Sequence, residues 1–94
     1  MSKMTDHSNE PRRGTAAAEE AYLRLVGERV RLHRVRRGMS RKALSQASGV
    51  SERYLAELER GTGNASLLVL RQIASAMDVK IVDLAAEDAD RTVD

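Results

Sequence analysis

The 94-residue chain contains no cysteine, one proline, two aromatic residues that are both tyrosine, and no long apolar run. Without cysteine there are no disulfide bonds or thiolate metal sites, and His7 and His33 have no companion at metal-ligand spacing. No apolar stretch approaches the roughly 20 residues that span a bilayer, and the polar start does not resemble a secretory signal. We therefore expect a cytoplasmic protein that binds no metal or other cofactor.

What the chain does contain favours helices. Hydrophobic residues make up 41% of it and are mostly aliphatic, and a single proline interrupts little. So short a chain forms at most one small domain, which buries about 60% of its unfolded surface. We expect an all-α domain with a core of Leu, Val, Ile, Ala and Met.

Positive charge is concentrated in the middle of the chain, although the formal net charge is only +2. Between Arg29 and Arg60, nine basic residues stand against three acidic ones, while acidic residues gather at positions 87, 88, 90 and 94. This asymmetry suggests a polyanionic partner for the middle of the chain. Taken alone, it is explained equally well by a solvated basic surface.

Composition and periodicity divide the chain into three regions. Residues 1–17 are polar and lack periodicity, which predicts a disordered N-terminal arm, and residues 87–94 are predicted to form an acidic flexible tail. Residues 18–86 carry the periodic apolar pattern of a folded domain. Its first helix is predicted to begin near Glu19 and to end at Gly38. The apolar stripe of this helix consists of Leu23, Val26, Val30 and His33, and we interpret the histidine as a partly buried, hydrogen-bonded side chain rather than a ligand.

Two very short helices follow, each with a serine at its start and a glycine at its end. Ser40 and Ser51 are placed to accept hydrogen bonds from the first turns, and Gly49 and Gly61 permit the left-handed conformation that ends a helix. The turn 49–51 is too short for antiparallel packing and predicts a crossing angle of about 90–120°, as in a helix-turn-helix. The predicted inner positions are Leu44, Ala47, Val50, Leu55 and Leu58. Two more helices are predicted, one from Ser66 and a short one around Ile81, Leu84 and Ala85.

Two stretches carry a family pattern: VGERVRLHRVRRGMSRKALSQASGVSERYLAELERG and, after a loop, NASLLVLRQIASAMDV. With them, the chain from Leu25 to about Glu87 resembles the Cro/CI-type (Xre) helix-turn-helix family. The resemblance implies a five-helix, all-α, lambda repressor-like domain of a bacterial transcriptional regulator. Such a domain binds double-stranded operator DNA, here as a repressor. His33 stands where this family usually has leucine.

A narrower resemblance rests on RRGMSRKALSQASGVSERYLAELERGTGN and LLVLRQIASAMDV. These stretches are similar to benzoate-catabolism regulators, in which such a domain precedes a shikimate-kinase-like domain that senses benzoyl-coenzyme A. The chain contains no GxxxxGK[ST] phosphate loop. This resemblance therefore implies the DNA-binding part alone, with any effector bound by another domain.

The resemblance also implies site residues: Arg41 clamps a phosphate, and Ser51, Glu52, Arg53 and Glu57 face the major groove. Arginine reads guanine and a carboxylate accepts from cytosine N4, so Arg53 with Glu52 or Glu57 predicts a half-site containing G·C pairs. Alternatively, Glu57 orients Arg53, which lies four residues earlier.

The remaining candidates contact the DNA backbone or pack. Tyr54 packs or offers its hydroxyl to a phosphate, with packing the better interpretation. Arg60, Thr62 and Asn64 are placed to reach the backbone, where contacts position the domain without reading sequence. For the arginines at positions 34, 36 and 37, a solvated helix end and a phosphate contact are equally good interpretations.

Three other functional classes are weaker. An antitoxin binds a partner protein as well as its operator, which calls for an apolar or disordered segment longer than these short polar tails. A purely protein-binding adaptor is disfavoured because that function does not explain the charged residues predicted to face the DNA groove. An enzyme is disfavoured because no nucleophile, base and orienting group occur together, and Ser45 and Ser48 lie in a scaffold helix.

One short recognition helix reads only a few base pairs, so we expect two copies on adjacent half-sites. The candidate contacts lie around Val82, Leu84 and residues 77–79, although Leu84 is better interpreted as a core residue. So small a surface predicts a weak homodimer that DNA stabilises.

Overall fold

The computed structural model describes the backbone of residues 2–87 and the side chains of residues 16–87. Within this range the chain forms five helices and no strand, which confirms the all-α prediction. They are α1 (Ser2–Arg36), α2 (Arg41–Ser48), α3 (Glu52–Arg60), α4 (Leu67–Met77) and α5 (Ile81–Ala85). None of the described helices is both long and apolar enough to cross a membrane.

The start of α1 differs from the sequence prediction, because the helix begins at Ser2 and covers residues expected to form a disordered arm. The prediction followed the apolar stripe, whereas helix formation does not require one. Residues 16–20 are Ala-Ala-Ala-Glu-Glu, which have high helix propensity, and all of them are exposed. This part of α1 is therefore favoured by local propensity rather than by packing. The predicted acidic tail lies outside the described residues, except for Glu87.

The ends of the short helices agree with the predicted caps. Ser40 Oγ accepts a hydrogen bond from Ala43 N at 3.0 Å, and Ser51 Oγ accepts one from Tyr54 N at 3.0 Å. Gly49 ends α2 in the left-handed conformation, with φ of 81°, where a side chain would be strained. These local signals mark where α2 and α3 begin and end.

The hydrophobic core lies between α1 and the four shorter helices. Its fully or almost fully buried residues are Val26, Val30, Leu44, Val50, Leu55, Leu58, Leu70, Ile73, Ala74, Met77 and Leu84. The prediction for Ala47 was wrong, because this residue is exposed. It lines an open groove between the end of α2 and α4, together with Leu68 and the polar residues Arg71, Gln72 and Ser75. His33 is half-buried on α1, as expected, but the described part of the chain shows no hydrogen bond from its ring.

Helix α1 is the scaffold against which α3 and α5 are held. A Cβ atom added at Gly27 would overlap the backbone carbonyl oxygen of Leu58, so the backbones of α1 and α3 meet directly. On α5, the Tyr22 hydroxyl donates to the carbonyl oxygen of Ala85, and Arg29 Nη1 donates to that of Leu84 at 3.2 Å. Helix α3 is consequently fixed along one side and presents the other to solvent.

Candidate nucleic-acid interface

The outward side of α3 is formed by charged residues at its first and last turns. Glu52, Arg53 and Arg60 are exposed, whereas Leu55 and Leu58 on the opposite side are buried. Because the inner leucines and the Ser51 cap fix the helix, the charged side chains project from a rigid support. A helix of nine residues presented in this way fits a groove about 12 Å wide.

Arg53 and Glu57 lie next to each other on this outward side. Arg53 Nε is 3.6 Å from Glu57 Oε2, and the Arg53 side chain is 89% exposed. The distance is too long for a hydrogen bond, and exposed pairs spaced i, i+4 contribute only about 0.3–0.5 kcal/mol. The contact agrees with the interpretation that Glu57 orients Arg53. It is weak enough for the guanidinium to turn toward another partner.

The hydroxyl groups of the candidate site are used within the protein. The Tyr54 hydroxyl donates to the carbonyl oxygen of Asn64 at 2.6 Å, and its ring packs against the core. Thr62 Oγ1 donates to the carbonyl oxygen of Glu57 at 3.1 Å. Both bonds fasten the loop 61–66 to α3, so Tyr54 has the packing role that the sequence favoured. Asn64 is exposed at the tip of this loop.

A buried carboxylate that the sequence did not single out lies at the end of α3. Glu59 is 8% exposed and accepts two hydrogen bonds from Arg34, from Nε at 2.7 Å and from Nη2 at 3.0 Å. Arg41 Nε donates to the same carboxylate at 3.0 Å. Arg34 Nη1 also donates to the carbonyl oxygen of Met39 at 2.9 Å. The start of α2 and the ends of α1 and α3 are therefore joined by one charge cluster, which we call the Glu59 cluster (Arg34, Arg41 and Glu59).

A family model of helix-turn-helix proteins, HTH_3, matches residues 30–84, more than half of the chain. The chain belongs to this helix-turn-helix family. Among curated relatives, the HTH-type transcriptional regulator SlrR of Bacillus subtilis (strain 168) is 36% identical over 61 residues. The immunity repressor protein of Bacillus phage phi105 is 30% identical over 63 residues. The matches cover 64% and 67% of this chain but 40% and 44% of these relatives, so the chain spans less than half of either.

Solved structures of similar proteins agree with the family. The restriction-modification controller protein C.AhdI from Aeromonas hydrophila has a TM-score of 0.67 and 34% identity, covering 68% of this chain and 97% of that one. An HTH_3 family transcriptional regulator from Vibrio cholerae has a TM-score of 0.71 and 26% identity, covering 78% and 41%. The chain is thus a helix-turn-helix DNA-binding domain of the kind that transcriptional regulators carry, and its relatives are such regulators.

Within this helix-turn-helix domain, α2 and α3 are the two helices of the motif. Seven of the nine predicted site residues fall into two groups around them. Glu52, Arg53, Glu57 and Arg60 share the outward side of α3, while Ser51, Tyr54 and Thr62 make the internal bonds that hold α3 and its loop. Arg41 lies at the start of α2, bound to Glu59.

Arg34 corrects the sequence interpretation, because it is neither a solvated helix end nor an exposed phosphate contact. Its side chain is 12% exposed and forms an ion pair with Glu59. One signal pointed to this pair: Glu59 comes four residues after the inner Leu55, which puts a carboxylate on the buried side of α3. A buried carboxylate requires a charged partner, and the basic end of α1 provides one. In the described part of the chain, no three His, Asp or Glu side chains are grouped as metal ligands would be.

Proposed function

We propose that this domain binds operator DNA sequence-specifically for a bacterial transcriptional regulator that acts as a repressor, and that α3 enters the major groove. The observation that carries the proposal is the exposed, charged outward side of a short helix that is capped at both ends and packed on its inner side. An immunity repressor among its relatives supports the repressor assignment. DNA binding of this kind also supports a cytoplasmic location.

The proposed base contacts come from the first half of α3. Arg53 donates to guanine O6 and N7, Glu57 orients its guanidinium, and Glu52 accepts from cytosine N4, which gives a half-site with G·C pairs. The high exposure of Arg53 and its loose contact with Glu57 support this assignment. Ser51 holds the start of α3 at the groove through its cap.

The proposed backbone contacts surround these residues. Arg41 at the start of α2 and Arg60 at the end of α3 bind phosphates, and the loop residues Thr62 and Asn64 approach the backbone beside them. Tyr54 supports that loop through its bond to the Asn64 carbonyl oxygen. Such contacts set the orientation of the domain on the duplex and add affinity that depends on salt.

Selection of bound duplexes from a random pool, followed by fluorescence anisotropy at two salt concentrations, tests this function. We expect enrichment of a short G·C-containing site and an affinity for it that falls steeply as salt rises. Absence of binding at low salt, or binding that does not change with salt, would contradict the proposal. Binding of a partner protein, measured separately, by a chain that also binds DNA would favour the antitoxin alternative, which the regulators among the relatives do not support.

We further propose that two copies bind adjacent half-sites as a homodimer that DNA stabilises. Val82, 58% exposed on α5, remains a candidate contact, whereas Leu84 is fully buried in the core and does not.

The narrower resemblance to benzoate-catabolism regulators supports the proposal that the whole regulator responds to benzoyl-coenzyme A through another domain. Release of the full-length regulator from operator DNA by benzoyl-coenzyme A, but not by coenzyme A, is the expected result.

A further inference from the structure

We propose that Glu59 is a positioning residue for DNA binding: its buried carboxylate holds the guanidinium of Arg41 at the start of α2, ready for a DNA phosphate. The inference rests on the proposed function, in which Arg41 contacts a phosphate. It adds a residue that does not itself touch DNA, since the Glu59 side chain is 1% exposed.

Arg34 alone satisfies the charge of Glu59. Its guanidinium binds both carboxylate oxygens, Oε2 at 2.7 Å and Oε1 at 3.0 Å, in the bidentate arrangement that suits this pair of groups. Arg41 Nε then binds the same Oε1 at 3.0 Å. Two arginines therefore share one carboxylate, and the Glu59 cluster carries an excess positive charge.

The excess positive charge is exposed to solvent at Arg41. The side chain of Arg34 is 12% exposed and its third recorded bond is to the carbonyl oxygen of Met39, so its guanidinium faces the protein. The side chain of Arg41 is 43% exposed and meets Glu59 through Nε. A guanidinium is planar with its donors in a fixed arrangement, so a bond at Nε sets the direction of the terminal N–H groups. An arginine held in this way loses less rotamer freedom when it binds a phosphate.

The bond between Arg41 and Glu59 has little to add to stability. The carboxylate is already neutralised by Arg34, and a partly exposed ion pair is screened by solvent. Its consequence is geometric, because it links the start of α2 to the end of α3. The phosphate contact is thereby kept at a fixed distance from the helix that reads the bases.

Glu59→Gln separates positioning from charge, because the two effects have opposite signs. Removing a negative charge favours DNA binding, whereas releasing Arg41 weakens it. We expect the variant to bind both the selected duplex and random duplexes about five- to tenfold more weakly than the original chain, in line with one charge-assisted bond. Affinity is measured by anisotropy at a temperature where each variant is folded. Protein concentrations are corrected for the fraction of each preparation that binds DNA.

Glu28→Gln is the matched control. Glu28 also forms an ion pair with an arginine, Arg31 at 3.2 Å, but both side chains are about half exposed, at 51% and 44%. This variant has the same net charge as Glu59→Gln and leaves the Glu59 cluster intact. We expect it to bind DNA as tightly as the original chain or slightly more tightly.

Arg41→Lys provides a second test that leaves the bond between Arg34 and Glu59 in place, and it decides the question if Glu59→Gln does not fold. Lysine keeps the charge but lacks the Nε–H group that binds Glu59. We therefore expect weaker DNA binding and an unchanged slope of log affinity against log salt. Arg41→Ala is expected to weaken binding and to lower the slope of log affinity against log salt by about 0.9. In an Arg41→Ala background, Glu59→Gln is expected to have no further weakening effect on DNA binding.

The outcomes distinguish the two proposals. If Arg41→Ala binds every duplex as tightly as the original chain, the phosphate role of Arg41 is wrong and the proposed interface must be revised. If Arg41→Ala weakens binding while Glu59→Gln and Arg41→Lys do not, Arg41 contacts DNA without being positioned by Glu59, and the inference is overturned.

Discussion

Arg34 of α1 and Glu59 of α3 form an ion pair through two hydrogen bonds of 2.7 and 3.0 Å, close to the start of α2. The exposed fractions of the two side chains are 12% and 1%. Residues that lie 25 positions apart in the sequence are thereby fixed beside each other. The pair joins the end of α3 to the end of α1, beside the core contacts that hold the two helices together.

Arg34→Ala is expected to lower the free energy of unfolding by about 1–3 kcal/mol, because Glu59 loses both bonds from Arg34 and keeps only Arg41 as a charged partner. Urea unfolding followed by circular dichroism measures this change. Arg31→Ala is the control, since it removes an arginine from an exposed pair on the same helix, where solvent screens the interaction, and it is expected to leave stability nearly unchanged. Equal losses for the two variants would show that burial of the pair has no consequence.

Gly27→Ala is expected to destabilise the domain by about 1–3 kcal/mol or more, because the new Cβ meets the backbone carbonyl oxygen of Leu58 rather than a movable side chain. The control is Gly63→Ala, whose Cβ would lie 3.7 Å from that of Glu57, an ordinary contact. Thermal unfolding of both variants checks the difference. A Gly27→Ala protein as stable as the original chain would mean that α1 and α3 can separate without cost.

The accuracy of the sequence predictions depended on how local the determining contacts are. Ser40 and Ser51 accept hydrogen bonds from backbone N–H groups three residues later, so the starts of α2 and α3 could be predicted from the local sequence. Glu59 was not recognised because its partners lie 18 and 25 positions earlier. Ala47 was assigned to the core by the periodicity of α2, but the packing of α4 leaves a groove at that position. Periodicity identifies the inner side of a helix, and only tertiary packing determines how far it is covered.

Tyr54→Phe is expected to reduce stability by about 1 kcal/mol, because the hydroxyl loses its bond to the Asn64 carbonyl oxygen. If the hydroxyl serves only to hold the loop, the change in DNA affinity is small. Tyr22→Phe removes an equivalent bond to the backbone of α5 and provides a comparison remote from α3. A Tyr54→Phe protein of unchanged stability but weakened DNA binding would assign the hydroxyl to a phosphate.

Arg53→Ala is expected to cost about 1–3 kcal/mol of binding free energy at the selected site and to relax the preference at one base pair. Binding to random duplexes is expected to change little, because its guanidinium is proposed to contact a base. Arg41→Ala is the comparison, since loss of a phosphate contact weakens all sequences alike. Anisotropy with the selected site, single-base variants of it and a random duplex measures both. Equal effects of the two substitutions on every duplex would contradict the division into base and backbone contacts.

Assembly on DNA gives the last prediction. Because α3 has nine residues and is proposed to read only a few base pairs, we expect two copies to bind with their α3 helices about 34–36 Å apart, one turn of the duplex. The burial of Leu84 leaves Val82 as the exposed apolar residue of α5, a surface far smaller than the roughly 1,200–2,000 Å² of a stable interface.

Sedimentation of this chain is therefore expected to show a monomer alone and two copies per duplex when the DNA carries two half-sites. Val82→Gln is expected to reduce the cooperativity of the second binding event while leaving the affinity for a single half-site unchanged, because the substitution adds no charge and Val82 lies on α5 rather than on the helix-turn-helix pair. A tight dimer in the absence of DNA, or one copy per two-site duplex at saturation, would contradict this model of assembly.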